Sequence, residues 1–525
     1  MNAKAIVSGA VILFVGNLLS SLLGLGREVL LAHNYGANVD MDAYLFANTI
    51  PSMLLSFVSG VYMASFIPLF IKQRVEISVE KANLMYNNTL NWLIVIIVLV
   101  TVVCYVFSDS LSSVFAIDAL QHDKIKHLLW ILLPNMLFFS VSYAQSSVLS
   151  SLNHFTLPAL LTVLNNIIVI TFMHFFHASI GIYSVAWGFL IGTALQVLVQ
   201  IPVLIKKGIR YRLYLSVKDE YIKKLVLLSI PVIGLVIIDQ SLQFATRFFS
   251  SSLEVGSASA LNYSSRIIML PVTLFGTALI SASFPSIVQM LAEKKEREYS
   301  SLISTSMKSL ALILIPVMIL CMAFSFPIIR ILFQRGAFDS TATEMTAIAF
   351  LIFAIGIVII PVREFCYKLF FGKENMRIPI HCSALYLICF VSMCLLLVPK
   401  LHYIGIAVSG SSSSILSFSY LLVRYKRLNP NQPLGLTVPF LSKIISSALL
   451  AAAMAYCFYY GGMKLIDAKG WEIVLTPFSL GLGMILYFGF IRLWKVEEMN
   501  FVIVKLSAKF NFNKRRSAIA SKNSA

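Results

Sequence analysis

Runs of about twenty apolar residues, each long enough to cross a hydrocarbon core, follow one another from end to end of this chain. That feature decides the solvent. Apolar residues make up 58% of the 525 and charged residues 12%, about half the charge of an ordinary soluble domain. A water-facing surface could not hide so much apolar side chain, so the chain belongs in lipid. Candidate spans fall near 5–25, 43–71, 88–107, 127–150, 156–176, 179–205, 222–247, 260–290, 309–329, 345–371, 379–398, 403–423, 439–460 and 472–494. The expected fold is an all-α integral membrane protein of about fourteen transmembrane helices. Lys4 and the apolar run after it have the look of a signal peptide. The run from Ala5 to Leu25 is long enough to span, however, and no A-x-A pattern follows, so it is read as the first helix.

A net charge of +18 would suit a nucleic-acid binder if it were gathered on one face. Instead Lys and Arg lie in short tracts between apolar runs, the arrangement that sets orientation in a membrane, and no nucleic-acid partner is expected. With both termini placed in the cytoplasm, the inside segments are enriched in Lys and Arg roughly threefold over the outside ones. One odd helix would scramble that asymmetry. The richest tracts are the 206–224 loop (Lys206, Lys207, Arg210, Arg212, Lys218, Lys223, Lys224) and the tail after Arg492, while the loop with Asp109, Asp118 and Asp123 falls outside. A multi-pass protein of the bacterial inner membrane, N-in and C-in, is expected. The domain reading is a six-helix N-lobe at 1–205, a basic cytoplasmic linker at 206–224, a six-helix C-lobe at 225–425, two further helices within 426–494 and a basic tail at 495–525. A faint echo agrees: Pro51 then Ser65-Phe66-Ile67-Pro68 in the second span, Pro271 then Ser283-Phe284-Pro285 in the eighth. It fits parallel repeats around a central cavity.

No GxSxG, Walker A or HExxH pattern occurs, and neither the eight histidines nor the seven cysteines have metal-ligand spacing. No catalytic residue, metal or cofactor is therefore expected, and the chain is read as no enzyme. What stands out is charge inside spans, where each ionisable group costs several kcal/mol unless it faces water or a partner. Arg27 and Glu28 end the first helix and Asp42 opens the second. Asp239, Gln240, Gln243 and Arg247 lie along the seventh, Arg266 in the eighth, and Arg363, Glu364 and Lys368 in the tenth. Several have a structural reading. Glu364 pairs at helical spacing with Lys368, Arg247 can snorkel to the outer interface, and Asp239 can tie its helix to a basic partner. Arg266 has no carboxylate one turn away, so it calls for an external anion. A guanidinium presents planar paired donors that suit phosphate oxygens.

Three stretches carry a family resemblance. They are Leu23-Gly24-Leu25-Gly26-Arg27-Glu28 running through Tyr35-Gly36-Ala37 to Asp42-Ala43 and Pro51; Leu152-Asn153-His154-Phe155 with Pro158-Ala159 and Asn165-Asn166; and Leu332-Phe333-Gln334-Arg335-Gly336-Ala337-Phe338-Asp339 with Thr343 and Thr346. With Arg266 before Pro271, the chain resembles the MurJ/MviN-type lipid flippases of the multidrug/oligosaccharidyl-lipid/polysaccharide exporter group. The resemblance implies fourteen helices in two lobes and alternating-access transport of an undecaprenyl-diphosphate-linked envelope precursor, with lipid II as lead candidate. Arg27 and Arg266 would hold the diphosphate, and Glu28, Asp42, Asp239, Arg247 and Arg363 would line the cavity or gate it. Implied partners are the lipid-linked sugar diphosphate, membrane lipids and envelope-synthesis enzymes; coupling would be to the membrane potential or a monovalent ion. Two family arginines fall at Ser21 and near Leu55 or Ser56 here, and Glu28 replaces an aspartate, which leaves the headgroup open: another lipid-linked oligosaccharide is the alternative. A cation-coupled drug exporter of the same broad fold would favour acidic residues in its spans, and only Asp239 lies deep. A non-transporting scaffold that holds the precursor is the third reading, with the basic tail as its docking element.

Overall fold

The computed structural model describes residues 3–373, 375–430, 432–465 and 470–494; the basic tail at 495–525 lies outside them. Every regular element among the described residues is a helix, the arrangement that satisfies each backbone N–H and C=O within its own segment in lipid. From the N-terminus, α1 (Ala3–Tyr35) leads into a broken span made of α2 (Val39–Ala47), α3 (Thr49–Val61) and α4 (Ile67–Glu76). Between α3 and α4 the backbone widens into a π-turn over Tyr62–Phe66, with the Ile67 amide donating to the Tyr62 carbonyl five residues back. In a regular helix the ring of Pro68 would meet the carbonyl of Ala64, and the wider turn accommodates it.

α5 (Val79–Val106), α6 (Ser108–Ser113), α7 (Ala119–Ser151), α8 (Thr156–Ile180) and α9 (Tyr183–Lys206) follow. Ser78 and Asp118 start α5 and α7 by accepting the amides of Lys81 and Gln121 at 3.1 and 2.7 Å. After an extended stretch come α10 (Glu220–Ser251) and α11 (Ser257–Pro271), which runs through a second π-turn at Val272–Thr277 into α12 (Ala278–Ala292). Both spans that carry the sequence echo thus contain a π-turn. The remaining helices are α13 (Glu296–Ala323), α14 (Ser325–Phe333), α15 (Ser340–Phe353), α16 (Gly356–Gly372), α17 (Arg377–Leu428), α18 (Val438–Leu465) and α19 (Glu472–Leu493).

Among the described residues, 11 helical stretches are long and apolar enough to cross a membrane, or 12 if α15 and α16, bent by 40° at their junction, form one span. The expected count of about fourteen is not reached. Part of the difference lies in α17, whose 52 residues make one continuous apolar stretch with a break inside it. At His402 its backbone turns to φ +52° and ψ −133°. A β-carbon on Gly405 would lie 2.8 Å from the Leu397 carbonyl carbon, although eight residues of straight helix would separate them by about 12 Å. Farther out, the Cys382 thiol meets the Ser417 carbonyl at 3.1 Å and the Ser413 hydroxyl meets the Met393 sulfur at 3.6 Å. α17 is therefore a hairpin of two antiparallel helices, matching the separate spans expected at 379–398 and 403–423. α1 also stands outside the count of 11.

The chain packs as two compact units. One comprises the residues up to Arg266 with Leu332–Ala349 and Ser383–Ser413; the other comprises Ile267–Ile331, Phe350–Cys382 and the chain from Ser414. In the first, α7 and α9 are tied by buried polar side chains. The Ser142 hydroxyl donates to Gln196 Oε1 at 3.1 Å, and Gln200 receives from Ser146 at 2.9 Å and donates to Ser142 at 2.9 Å. Such bonds hold helices together where lipid supplies no hydrophobic drive. In the second, small residues of α18 (Ala448, Ala451, Ala452, Ala455) let it approach Leu312, Ile315 and Ile319 of α13 and Tyr487 of α19. The Tyr487 hydroxyl donates to the Leu312 carbonyl at 2.8 Å, so its buried phenol is satisfied.

Candidate functional site

All the site residues expected from sequence except Arg363 belong to the first unit. Near the end of α1, Arg27 is held by three helices. Its Nη1 donates to Asn166 Oδ1 of α8 at 3.0 Å, its Nη2 donates to Glu28 Oε1 at 2.8 Å, and its guanidinium lies 5.1 Å from the Phe189 ring centroid of α9. Phe189 in turn stacks on Tyr44 of α2, with centroids 6.4 Å apart. A guanidinium over an aromatic face is attracted by the ring quadrupole, the more so when desolvated.

Glu28 is the hub. Its side chain is 5% exposed, and Oε1 faces both Arg27 and the Nε of Arg266, the latter at 3.8 Å. Arg266, with no carboxylate on its own helix, thus takes one from α1. The two arginines differ in access: the Arg27 side chain is 14% exposed and that of Arg266 58%. Arg27 Nε and Glu28 Oε2 are buried without a hydrogen bond among the described residues. The cluster, two guanidiniums on one carboxylate, leaves one positive charge in excess and exposed donors on Arg266.

The end of α11 that precedes Arg266 is fixed by buried polar contacts. Asp42 accepts the Gly256 amide at 2.7 Å, the Ser259 amide at 2.8 Å and the Ser259 hydroxyl at 2.5 Å. It thereby caps the orphan amides that open α11, from a residue more than two hundred positions away in sequence. Arg247 of α10 donates to Asn262 Oδ1 at 3.0 Å, one turn before Arg266. Tyr263 donates to the Gly36 carbonyl at 3.1 Å and packs against Phe333 and Phe338. The Ala337 amide donates to the His33 carbonyl at 2.8 Å. That contact is possible only because Gly336 has φ +61° and no side chain: a β-carbon there would sit 2.3 Å from the His33 carbonyl oxygen.

The three motif stretches therefore meet. The first reaches the second through Arg27 and Asn166, and the third through His33 and Ala337. Of the expected cavity and gating residues, Glu28 sits between the arginines, Asp42 serves as a helix cap, and Arg247 is half-buried against Asn262. Asp239 is exposed on α10. Arg363, in the second unit, is half-buried with its guanidinium 6.0 Å from the Tyr367 ring on α16. Ser21, Leu55 and Ser56 are half-buried. Sequence reasoning quoted Asn166 only as a motif residue, without a role, and did not name Phe189 or Asn262. Asn166 carried a signal, a polar residue in an apolar run, whereas Phe189 carried none.

The chain matches the family model described as lipid II flippase MurJ over residues 31–466. It is 30% identical over 412 residues to the probable lipid II flippase MurJ of Buchnera aphidicola subsp. Schizaphis graminum, covering 77% of this chain and 80% of that one. To the lipid II flippase MurJ of Burkholderia cenocepacia it is 26% identical over 496 residues, covering 91% and 95%. Its fold resembles a solved structure of lipid II flippase MurJ in an inward closed conformation, with a TM-score of 0.80 at 23% identity over 93% of this chain and all of that one. It also resembles an inward-facing multidrug resistance MATE family transporter, with a TM-score of 0.66 at 12% identity over 79% of this chain and 96% of that one.

Proposed function

The chain belongs to the lipid II flippase MurJ family, and on that premise we propose that it carries an undecaprenyl-diphosphate-linked envelope precursor, lipid II first, from the cytoplasmic to the outer leaflet. The observation that carries this reading is the shared carboxylate: Arg27 and Arg266 both face Glu28 Oε1, at 2.8 and 3.8 Å. A diphosphate cannot enter hydrocarbon unpaired. Arg266 offers it exposed paired donors, and Arg27 brings a second positive charge held in place by Asn166 and Phe189. Glu28 keeps the two guanidiniums together when the site is empty, at the cost of competing with the phosphate when it is full. The inner-membrane topology of the proposal is N-in and C-in. Its moving parts are the lobes at 1–205 and 225–425, which rock to open the cluster to one side and then the other while the polyprenyl tail stays in lipid. No covalent step is involved, and the driving force is the membrane potential.

Test this in vesicles with reconstituted protein and a fluorescent lipid-linked precursor. Arg27→Ala and Arg266→Ala, present at wild-type abundance, should each abolish most flipping. Full flipping by either variant would overturn the role given to the cluster. A second reading starts from Ser21 and from Leu55 or Ser56, where the resemblance implies two family arginines: with those two fewer, the site grips less of the headgroup, and another lipid-linked oligosaccharide would then be the preferred cargo. Competition between lipid II and other undecaprenyl-diphosphate glycans in the same vesicles decides between them.

A further inference from the structure

The stretch between α9 and α10 is extended, yet it does not hang free. Asn83, Asn87 and Asn91 line one face of α5 at helical spacing, and their side-chain amides donate to the carbonyls of Gly208, Arg210 and Arg212, each at 3.0 Å. The fit is metric. Four residues of helix rise about 6 Å, and two residues of extended chain advance about 6.6 Å. Every second carbonyl of the loop therefore finds an asparagine. After Arg212 the chain turns back: Asn91 also donates to the Tyr214 carbonyl at 3.2 Å, and Asn88 exchanges two bonds with Ser216, at 3.0 and 2.9 Å. The Arg212 amide donates to Asn87 Oδ1 at 3.1 Å.

This ladder has a physical reading. A loop in water needs no protein partner for its backbone, because water supplies one. Non-helical backbone at membrane depth must have its polar groups met by protein. From Asn83 to Asn91 the loop climbs α5 by about 12 Å, to where the apolar run of that helix begins. Its side chains agree. Tyr211, Leu213 and Val217 are 62%, 78% and 65% exposed, much like the apolar residues Val226 and Leu227 near the start of α10, at 58% and 68%. Exposed Arg210 and Arg212 alternate with them.

We propose that residues 208–218 form an interfacial anchor, seated in the cytoplasmic leaflet, that binds anionic phospholipid headgroups through Arg210 and Arg212. Leu213 and its neighbours enter the acyl boundary, and the asparagine ladder makes that depth tolerable for the backbone. The lipid is an anionic leaflet component and not the cargo, so the anchor stands apart from the transport reading and rests only on placing this loop on the cytoplasmic side. Charge complementarity selects the occupant: each Lys or Arg near a negative leaflet adds attraction, while an apolar tip without that charge would take any lipid.

The test uses full-length protein with Leu213→Cys carrying an environment-sensitive bimane, in a background whose other accessible cysteines are serine. The protein is reconstituted in phosphatidylcholine vesicles with or without phosphatidylglycerol. Iodide quenching should fall at least about threefold when phosphatidylglycerol is present, and Arg210→Gln with Arg212→Gln should remove that difference. Both arginines are exposed, so the double variant keeps its fold, which wild-type flipping in the same vesicles checks independently. Quenching that ignores phosphatidylglycerol, or a difference that survives the double substitution, overturns the anchor. So does equal protection by inorganic phosphate in pure phosphatidylcholine, which would make the loop a free-anion site.

Discussion

Glu28 decides what the two arginines can do. With Arg27 and Arg266 on one oxygen, neither is a naked charge in the span, and an incoming diphosphate exchanges one anionic partner for another. Charge and geometry can be separated at Arg266. Arg266→Lys keeps the charge and loses the planar fork, so flipping should fall about tenfold, and Arg266→Ala should fall about tenfold further, in line with the worth of a charge-assisted hydrogen bond. Initial flipping rates at matched protein levels check the order; equal rates for lysine and arginine would make the site a simple charge. Asp42 tests differently, because it touches helix amides. Asp42→Ala strips the cap from α11 at a cost of about 1–2 kcal/mol, to be read as a lower melting midpoint in detergent. Arg27 and Arg266 were legible in the sequence because charge is rare in an apolar run. Phe189 and Asn262 were not, and Asn166 showed only as a motif residue without a role, since a neutral residue reveals its role only through its partner, and those partners lie on other helices.

At the scale of elements, apolar run length located the long spans but neither the short helix α6 nor the breaks at α13/α14 and α15/α16. The second and eighth spans each contain a π-turn, a feature set by local backbone accommodation that hydropathy does not register. The reversal at His402 was legible as a short polar gap around Lys400 and His402 between two runs, and the close approach of Gly405 to Leu397 supplies its geometry. A hairpin puts Arg377 and Arg427 on the same side of the membrane and His402 on the other. Single cysteines at the three positions should react with a membrane-impermeant thiol reagent accordingly, 402 from outside and 377 and 427 from inside. Labelling of 377 and 427 from opposite faces would require one continuous helix instead. Gly336 offers a second test at this scale. With φ +61° and the His33 carbonyl 2.3 Å from any β-carbon, Gly336→Ala should push the 332–346 stretch off α1 and leave His33 more reactive to diethyl pyrocarbonate, whereas an unchanged reactivity would mean that the contact tolerates the methyl group.

For the whole molecule, composition and the distribution of Lys and Arg made the membrane class plain, because both follow from the chain's free energy in lipid and need no tertiary contact. The grouping of residues 332–349 and 383–413 with the N-terminal part was not legible: it depends on pairings hundreds of positions apart, such as Ala337 on His33. What the whole molecule does with its charge can be argued one step further. Counted as two guanidiniums and one carboxylate, the empty cluster carries one positive charge. Loaded with a diphosphate diester it carries one negative charge. An inside-negative potential then favours both halves of the cycle, the loaded site turning outward and the empty site turning inward, each by up to about 2.3 kcal/mol per 100 mV. Glu28→Gln leaves the charge moved per cycle unchanged but shifts it: the loaded site becomes neutral and the empty site doubly positive. In vesicles with a potassium-diffusion potential, wild-type export should speed up as the interior becomes negative, in a single-turnover measurement as well as in steady state. In the Glu28→Gln variant the single-turnover rate should lose its voltage dependence while the steady-state rate keeps it. A wild-type rate indifferent to potential in both regimes would mean that the cluster does not carry its charge through the field, and the transport cycle would need another driving force.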